Sequence, residues 1–285
     1  MLRSAGIVAR YDDKQALTLA KELADYLNEV GVETYLENTL RGKIEDAGKL
    51  IPLTDMKTNL VITIGGDGTV LRTCMTLPKP EPPILAVNMG VRGFLAEVDP
   101  DEARSAIDRI IKGEFQVEKC MKLSTVANNE QTPDALNDVV VSSGEASKIL
   151  YLQIYKNDVP IAQLEADGVI ISTRTGSTGY TLSAGGPVLD SEMDAIVLTP
   201  ICSLTTFCSM VFPAAAKIGI EPVRPKEMLV SVDGAYRRLL SKPNSSVVVT
   251  RSKYVSSFIK FKSNFYSRLE SRLQFKGCVK ERDEE

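Results

Sequence analysis

Leu60-Val61-Ile62-Thr63-Ile64-Gly65-Gly66-Asp67-Gly68-Thr69-Val70-Leu71 is the stretch whose reading decides the fold. Residues 60–64 are a short, mostly apolar, β-branched run stopped by glycines, the pattern of a strand buried on both faces. Gly65, Gly66 and Gly68 permit backbone conformations closed to other residues and a close approach of N–H groups to a ligand. Residues 70–75 read as the start of a helix, which puts the loop at a positive helix end, a setting that suits a phosphate. Asp67 is the odd member, because an anion among phosphate-cradling glycines repels the ligand. Either it caps a plain strand-to-helix turn, or it serves the chemistry by accepting a hydroxyl proton or holding a magnesium ion.

Upstream of this stretch, residues 5–10 read as a strand. Asp12 or Asp13 can cap a helix in which Ala16, Leu19, Ala20, Leu23, Leu27 and Val30 recur at helical spacing until Gly31. Residues 32–36 form a second strand, and residues 44–53 a weaker helical stretch. Strand, helix, strand, helix, strand implies a Rossmann-like parallel sheet with right-handed crossovers, and ligands on such sheets sit at the carboxyl ends of strands. Downstream, the proline-rich residues 78–83 lead into a buried strand at 84–88 that again meets glycines, Gly90 and Gly93. The next helix has Asp99 as cap, Pro100 in its first turn, Ile107, Ile110 and Ile111 inward, and Gly113 as its stop.

From Phe115 the period changes. Residues 121–127, 136–141, 149–156 and 163–172 are β-type runs between Asn, Asp, Gly and Pro turns, with more at 195–198, 217–220, 228–232 and 246–250. The expected architecture is an α/β domain over residues 1–115 and an all-β, antiparallel, sandwich-like domain over residues 116–262. A terminal helix over 263–278 packs back on the first domain.

A chain of 285 residues, 44% apolar and 25% charged, buries a sizeable core. Its net charge of -3 argues against a general nucleic-acid binder. No apolar run approaches a membrane span and the start lacks a leader pattern, so a cytoplasmic protein is expected. Five scattered cysteines fit reduced thiols, and the absence of histidine removes histidine-based triads, dyads and metal sites. Proton transfer therefore falls to carboxylates, Lys, Tyr or Cys.

Gly65-Gly66-Asp67-Gly68-Thr69 resembles the loop shared by NAD kinases, diacylglycerol and sphingosine kinases and, more loosely, 6-phosphofructokinases. Three further stretches narrow this: Asn88-Met89-Gly90-Val91-Arg92-Gly93-Phe94-Leu95, Leu136-Asn137-Asp138-Val139, and the twenty-one residues from Asp167-Gly168 through Thr175-Gly176-Ser177-Thr178-Gly179-Tyr180-Thr181-Leu182-Ser183 to Gly186-Pro187. In order and spacing they are similar to NAD kinases. So are Asp194-Ala195-Ile196, Val232-Asp233-Gly234 and Phe265-Tyr266-Ser267-Arg268-Leu269, and the likeness covers nearly the whole chain.

The resemblance implies transfer of a phosphoryl group from ATP or inorganic polyphosphate to the 2′-hydroxyl of the adenosine ribose of NAD, giving NADP. It implies Mg²⁺ or another divalent metal held mainly through phosphates, binding of NAD(H) and NADP(H), and a homodimer or homotetramer. Asp67 is the expected general base, worth about 10²- to 10⁴-fold. Gly68 and Phe94 belong to the two loops around it, and Arg72 matches a basic position able to hold the pyrophosphate. Asn137 and Asp138 offer an amide and a carboxylate to ribose hydroxyls and the adenine edge. Lys148 is a further ligand candidate by matching position, with a solvated surface lysine as the alternative. Asp167 is implied near the nicotinamide. Thr175, Thr178, Gly179, Tyr180, Thr181, Leu182 and Ser183 are implied around the adenine, with Tyr180 as a stacking face.

There are departures. Residues 200–210 lack the His and Arg of many relatives, Ala235 stands where many have Gln, and Glu165 stands where many are basic. A lipid kinase using the same first loop leaves Asn137, Asp138 and residues 167–187 unexplained. A non-catalytic NAD(P) sensor has no need of Asp67.

Overall fold

The computed structural model describes residues 2–44, 48–90, 93–145, 148–242, 244–261, 265–266 and 269–270. The first half is a parallel sheet of β1 (Ser4–Ala9), β2 (Glu33–Glu37), β3 (Lys49–Ile51), β4 (Leu60–Gly65) and β5 (Ile84–Asn88), in the order β5-β4-β1-β2-β3. Every residue of β4 is buried, as expected of a central strand between two helical layers. Helices α1 (Lys14–Glu29) and α3 (Ala103–Lys112) pack on one face with Ile7 and Ile62, and α2 (Asp67–Thr76) packs on the other with Val61 and Ile84. Asp13 caps α1, its Oδ1 accepting from the amides of Gln15 at 2.9 Å and Ala16 at 3.3 Å. Gly31, at φ +79°, follows the end of α1.

The helix expected around 44–53 is instead β3, a three-residue edge strand parallel to β2, with a 3-10 turn after it at Leu53–Asp55; residues 45–47 lie outside the described residues. Asp99 precedes a 3-10 turn at Pro100–Glu102 without making a capping bond, and Ile111 is exposed rather than inward. Helix α2 starts at Asp67, three residues earlier than expected, with Gly66 at its N-cap.

The second half is antiparallel. It comprises β6 (Gln116–Ala127), β7 (Glu130–Gln131), β8 (Asp138–Ser143), β9 (Leu150–Lys156), β10 (Val159–Ala166), β11 (Gly168–Ser172), short helices α4 (Arg174–Ser177) and α5 (Tyr180–Ser183), β12 (Ala195–Ile201), β13 (Met210–Pro213), β14 (Ile218–Pro222), β15 (Met228–Val232), β16 (Tyr236–Leu240) and β17 (Val247–Lys260). One sheet is ordered β13-β12-β11-β8-β15-β16. The other, β10-β9-β14-β17, runs on into β5 of the parallel sheet, with β6 along β17. The inner faces of the two sheets form a sandwich core that includes Leu152, Ile220 and Val249 on one side and Val141, Ile171 and Val230 on the other. The run 163–172, read from sequence as one strand, breaks at Asp167 into β10 and β11, which join different sheets. Of the helix expected over 263–278, the described residues 265, 266, 269 and 270 are helical, and the rest lies outside the described residues. Phe265 meets the Phe94 ring edge-on, with centroids 6.1 Å apart.

Candidate active site

The carboxyl ends of β4 and β5 deliver two loops side by side, joined where the Met89 amide donates to Gly65 O at 3.1 Å. Gly65, Gly66 and Gly68 do not use positive φ, contrary to expectation. At Gly65 the need is space, because a Cβ there would collide with the Thr69 side chain. Beside Gly66 and Gly68 an added Cβ would meet nothing within 4 Å, which leaves open room at the positive end of α2. Asp67, in the first turn, spans the two loops: its carboxylate accepts from the Phe94 amide at 3.0 and 3.1 Å and from the Leu95 amide at 3.1 Å. The carboxylate is thereby held in one orientation. Arg72, one turn on, is engaged in a fork by buried Glu37, Nη2 to Oε2 at 2.7 Å and Nη1 to Oε1, so its guanidinium is tied to β2.

The opposite wall begins at β8. Thr173 caps α4, its Oγ1 accepting from the Gly176 amide, and it also donates to Leu136 O at 2.6 Å, while its amide donates to Asn137 O at 2.9 Å. Gly176 lies so close to Asn137 O that a Cβ would collide with it. The Asn137 side chain faces Gly179, with its Oδ1 buried and without a hydrogen-bond partner. Asp138 is 7% exposed; burial, and then the charge of Asp233, push its carboxyl up to about 7.

Between the two walls is a cleft of about 320 Å³ whose lining includes Phe94, Leu95, Arg174, Thr175, Thr178 and Phe265. The structure thus gathers Phe94, Thr175 and Thr178 in one cleft. Asp67 is bonded to its rim, and Asn137 lies against the α4–α5 junction behind it. Other expected residues lie elsewhere. Thr181 is fully buried and bonded to Ser172 Oγ at 2.7 Å, so it supports the loop instead of facing a ligand. Leu182 is half-buried, while Ser183 and Tyr180 are exposed. Asp167 and Lys148 are exposed at the far end of the β8–β11 pair, where Ser142 pairs with Gly168; Asp138 pairs with Ser172 at the cleft end, about 13 Å away along the strand. Neither reaches the cleft of its own chain.

Arg174 and Phe265 are among the cleft residues that the sequence reading does not single out. Arg174 is pinned by Glu118 Oε1 at 3.1 Å, Lys119 O at 3.0 Å and Ser191 O; its neighbours lie 17 to 56 positions away, beyond any local signal. Phe265 enters that reading only as part of a matching segment. Among the described residues no three acidic or cysteine side chains gather as a metal cage, so a divalent ion would depend on the donor's phosphates for most of its ligands. No described helix is long and apolar enough to cross a membrane.

The ATP-NAD kinase N-terminal domain family matches residues 5–115, and the ATP-NAD kinase C-terminal domain family matches residues 136–261. The chain is 39% identical to the NAD kinase of Pyrococcus abyssi over 277 residues, covering 94% of this chain and 98% of that one. It is 36% identical to the bifunctional NADP phosphatase/NAD kinase of Methanocaldococcus jannaschii, of which it spans 47%. Its fold is that of yeast NADH kinase complexed with NADH, with a TM-score of 0.88 at 22% identity, covering 98% of this chain and 89% of that one. It is also that of an NAD kinase from Archaeoglobus fulgidus in complex with ATP, with a TM-score of 0.77 at 23% identity, covering 94% and 99%. Two family domains in tandem and a relative matched over 98% of its length leave one conclusion: the chain belongs to the NAD kinase family.

Proposed function

We propose that this chain transfers the γ-phosphoryl group of ATP to the 2′-hydroxyl of the adenosine ribose of NAD, releasing ADP, NADP and a proton. One observation carries the reading. The carboxylate of Asp67, at the phosphate-suited end of α2, is bonded to the amides of Phe94 and Leu95, and these line the same cleft as Thr175 and Thr178. A base, a phosphate seat and an apolar slot for a flat ring system thus adjoin one another. The adenosine half enters the cleft beside Phe94, Thr175 and Thr178. Asn137 Oδ1, a buried acceptor without a partner, takes a donor from the adenine edge or ribose, and the Asp138 carboxylate accepts from a ribose hydroxyl. Asp67 takes the 2′-hydroxyl proton as that oxygen attacks the γ-phosphorus. Mg²⁺ bound to the triphosphate supplies charge neutralisation.

ATP is favoured as donor because a structural neighbour is an ATP complex. A homo-oligomer and a cytoplasmic location complete the reading. The test is NADP formation by purified protein with NAD and Mg²⁺, supplied with ATP or polyphosphate, alongside Asp67→Asn. Product with ATP and a loss of about 10²- to 10⁴-fold in kcat for the variant are expected. Turnover by the variant within a few-fold of wild type removes Asp67 as base. Turnover with polyphosphate alone overturns the donor assignment.

A further inference from the structure

Asp233 opens the tip of the β15–β16 hairpin with φ +46°, followed by Gly234 at +69°. A non-glycine residue in the left-handed region needs a compensating contact, and Asp provides it through its own side chain. Asp233 is 9% exposed, and its carboxylate collects three consecutive amides from a segment almost a hundred residues upstream. Oδ2 accepts from Leu136 at 2.7 Å, while Oδ1 accepts from Asn137 at 2.8 Å and Asp138 at 3.0 Å. Its own amide returns a bond to Asp138 O at 3.0 Å. The β8–β15 ladder ends where Val139 faces Val232. One step further on, a side chain replaces the strand partner and curls residues 136–138 around itself.

Both oxygens are thus occupied, so Asp233 is not placed to receive a ligand. The three amides it holds belong to the segment whose side chains the proposed function puts on the dinucleotide. The other side of that segment is fixed by Thr173 and Gly176, and Asn137 Oδ1 is left buried and unpartnered between the two supports. Burial raises the Asp233 carboxyl above its ordinary value on balance, while the three amides and the nearby Lys122 charge oppose that rise.

We propose that Asp233 is a positioning residue for the dinucleotide: it presents Asn137 and Asp138 to the substrate through their main-chain amides without touching it. This rests on the reading that Asn137 and Asp138 contact NAD.

The test compares steady-state kinetics of Asp233→Asn, Asn137→Ala and the double variant, with circular dichroism and thermal melts to verify folding. In Asp233→Asn one acceptor becomes a donor facing amides. The KM for NAD is expected to rise about 10- to 100-fold, with kcat and the KM for ATP within about threefold. Because both residues act on one contact, the double variant should cost less than the product of the single effects. Asp233→Glu keeps the charge and should restore part of the affinity; it serves as the main comparison if Asp233→Asn does not fold. Multiplicative effects, or a fall in kcat and in ATP affinity alongside NAD affinity, overturn the positioning role. If Asn137→Ala and Asp138→Asn leave the KM for NAD unchanged, the reading of those two residues fails instead. If Asn137→Ala raises KM while a folded Asp233→Asn or Asp233→Glu matches wild type, the proposal alone fails.

Discussion

Asp138 predicts that proton release accompanies NAD binding near neutrality. Its carboxyl sits at about 7, against an ordinary 3.8, because burial disfavours the charged form and Asp233 adds a second negative charge beside it. Between those two values the folded chain holds a proton that the unfolded chain has lost, so the contribution of Asp138 to the stability of the free protein is largest below the ordinary value. That contribution falls as pH rises to about 7 and levels off above that. At 1.36 kcal/mol per unit the loss from this group is roughly 4 kcal/mol at most. Substrate hydroxyls donate more strongly to the ionised carboxylate than to the neutral acid, so NAD affinity should move the opposite way. Below pH 7 it should rise by up to about tenfold per unit, and above about 7.5 it should flatten. Titration calorimetry at pH 6.5 in buffers of different ionisation enthalpy should show release of a fraction of a proton per NAD bound. Asp138→Asn should abolish that release and flatten both the affinity profile and the melting profile. Tight binding by the wild type without proton release, or the same pH profile in Asp138→Asn, would refute the account.

Three further outcomes follow from the packing. Glu81 neutralises Lys122, which is fully buried and donates to it at 2.7 Å, and also engages Lys79, while Ser256 donates to its other oxygen at 2.5 Å. Glu81→Gln should cost about 3–5 kcal/mol in urea unfolding, and the double change with Lys122→Met should recover part of that loss. Gly176→Ala drives a methyl into Asn137 O, so kcat/KM for NAD should fall at least about tenfold with the KM for ATP unchanged; equal kinetics would show that α4 tolerates displacement. Arg72→Met strands buried Glu37, and urea unfolding should show a loss of about 1–3 kcal/mol of stability, less than for a fully buried pair because Arg72 is partly solvated.

The parallel sheet is readable in the sequence because its central strands are continuous β-branched runs and α1 carries both its cap and its stop. The strand β3 is not, since three residues are too few to display a period and its neighbour β2 supplies the pairing. Lys122 stands in the alternating run of β6, where a cation signals a solvent face. It is buried because the Glu81 segment covers that face, a contact spanning 41 positions. At the site, the glycine loop and residues 175–178 announce themselves through composition. Asp233 does not, for its partners lie at positions 136–138 and its work is done on amides, which carry no side-chain signal. Asp167 and Lys148 stand away from the cleft of their own chain because adjacency to a site segment in sequence becomes the opposite end of a strand in space.

Strand β17 has a consequence for motion. Over fourteen residues it lies along β6, meets β14 at Val249 opposite Ile218, and reaches β5 at Phe258 opposite Ile84. The halves that frame the cleft are therefore stitched into one continuous backbone ladder instead of being tethered by a linker. Swinging them apart like a jaw would break that ladder, so substrate exchange falls to the small parts at the rim: the turn carrying Phe94 and Leu95, and the helical residue Phe265 that leans on it.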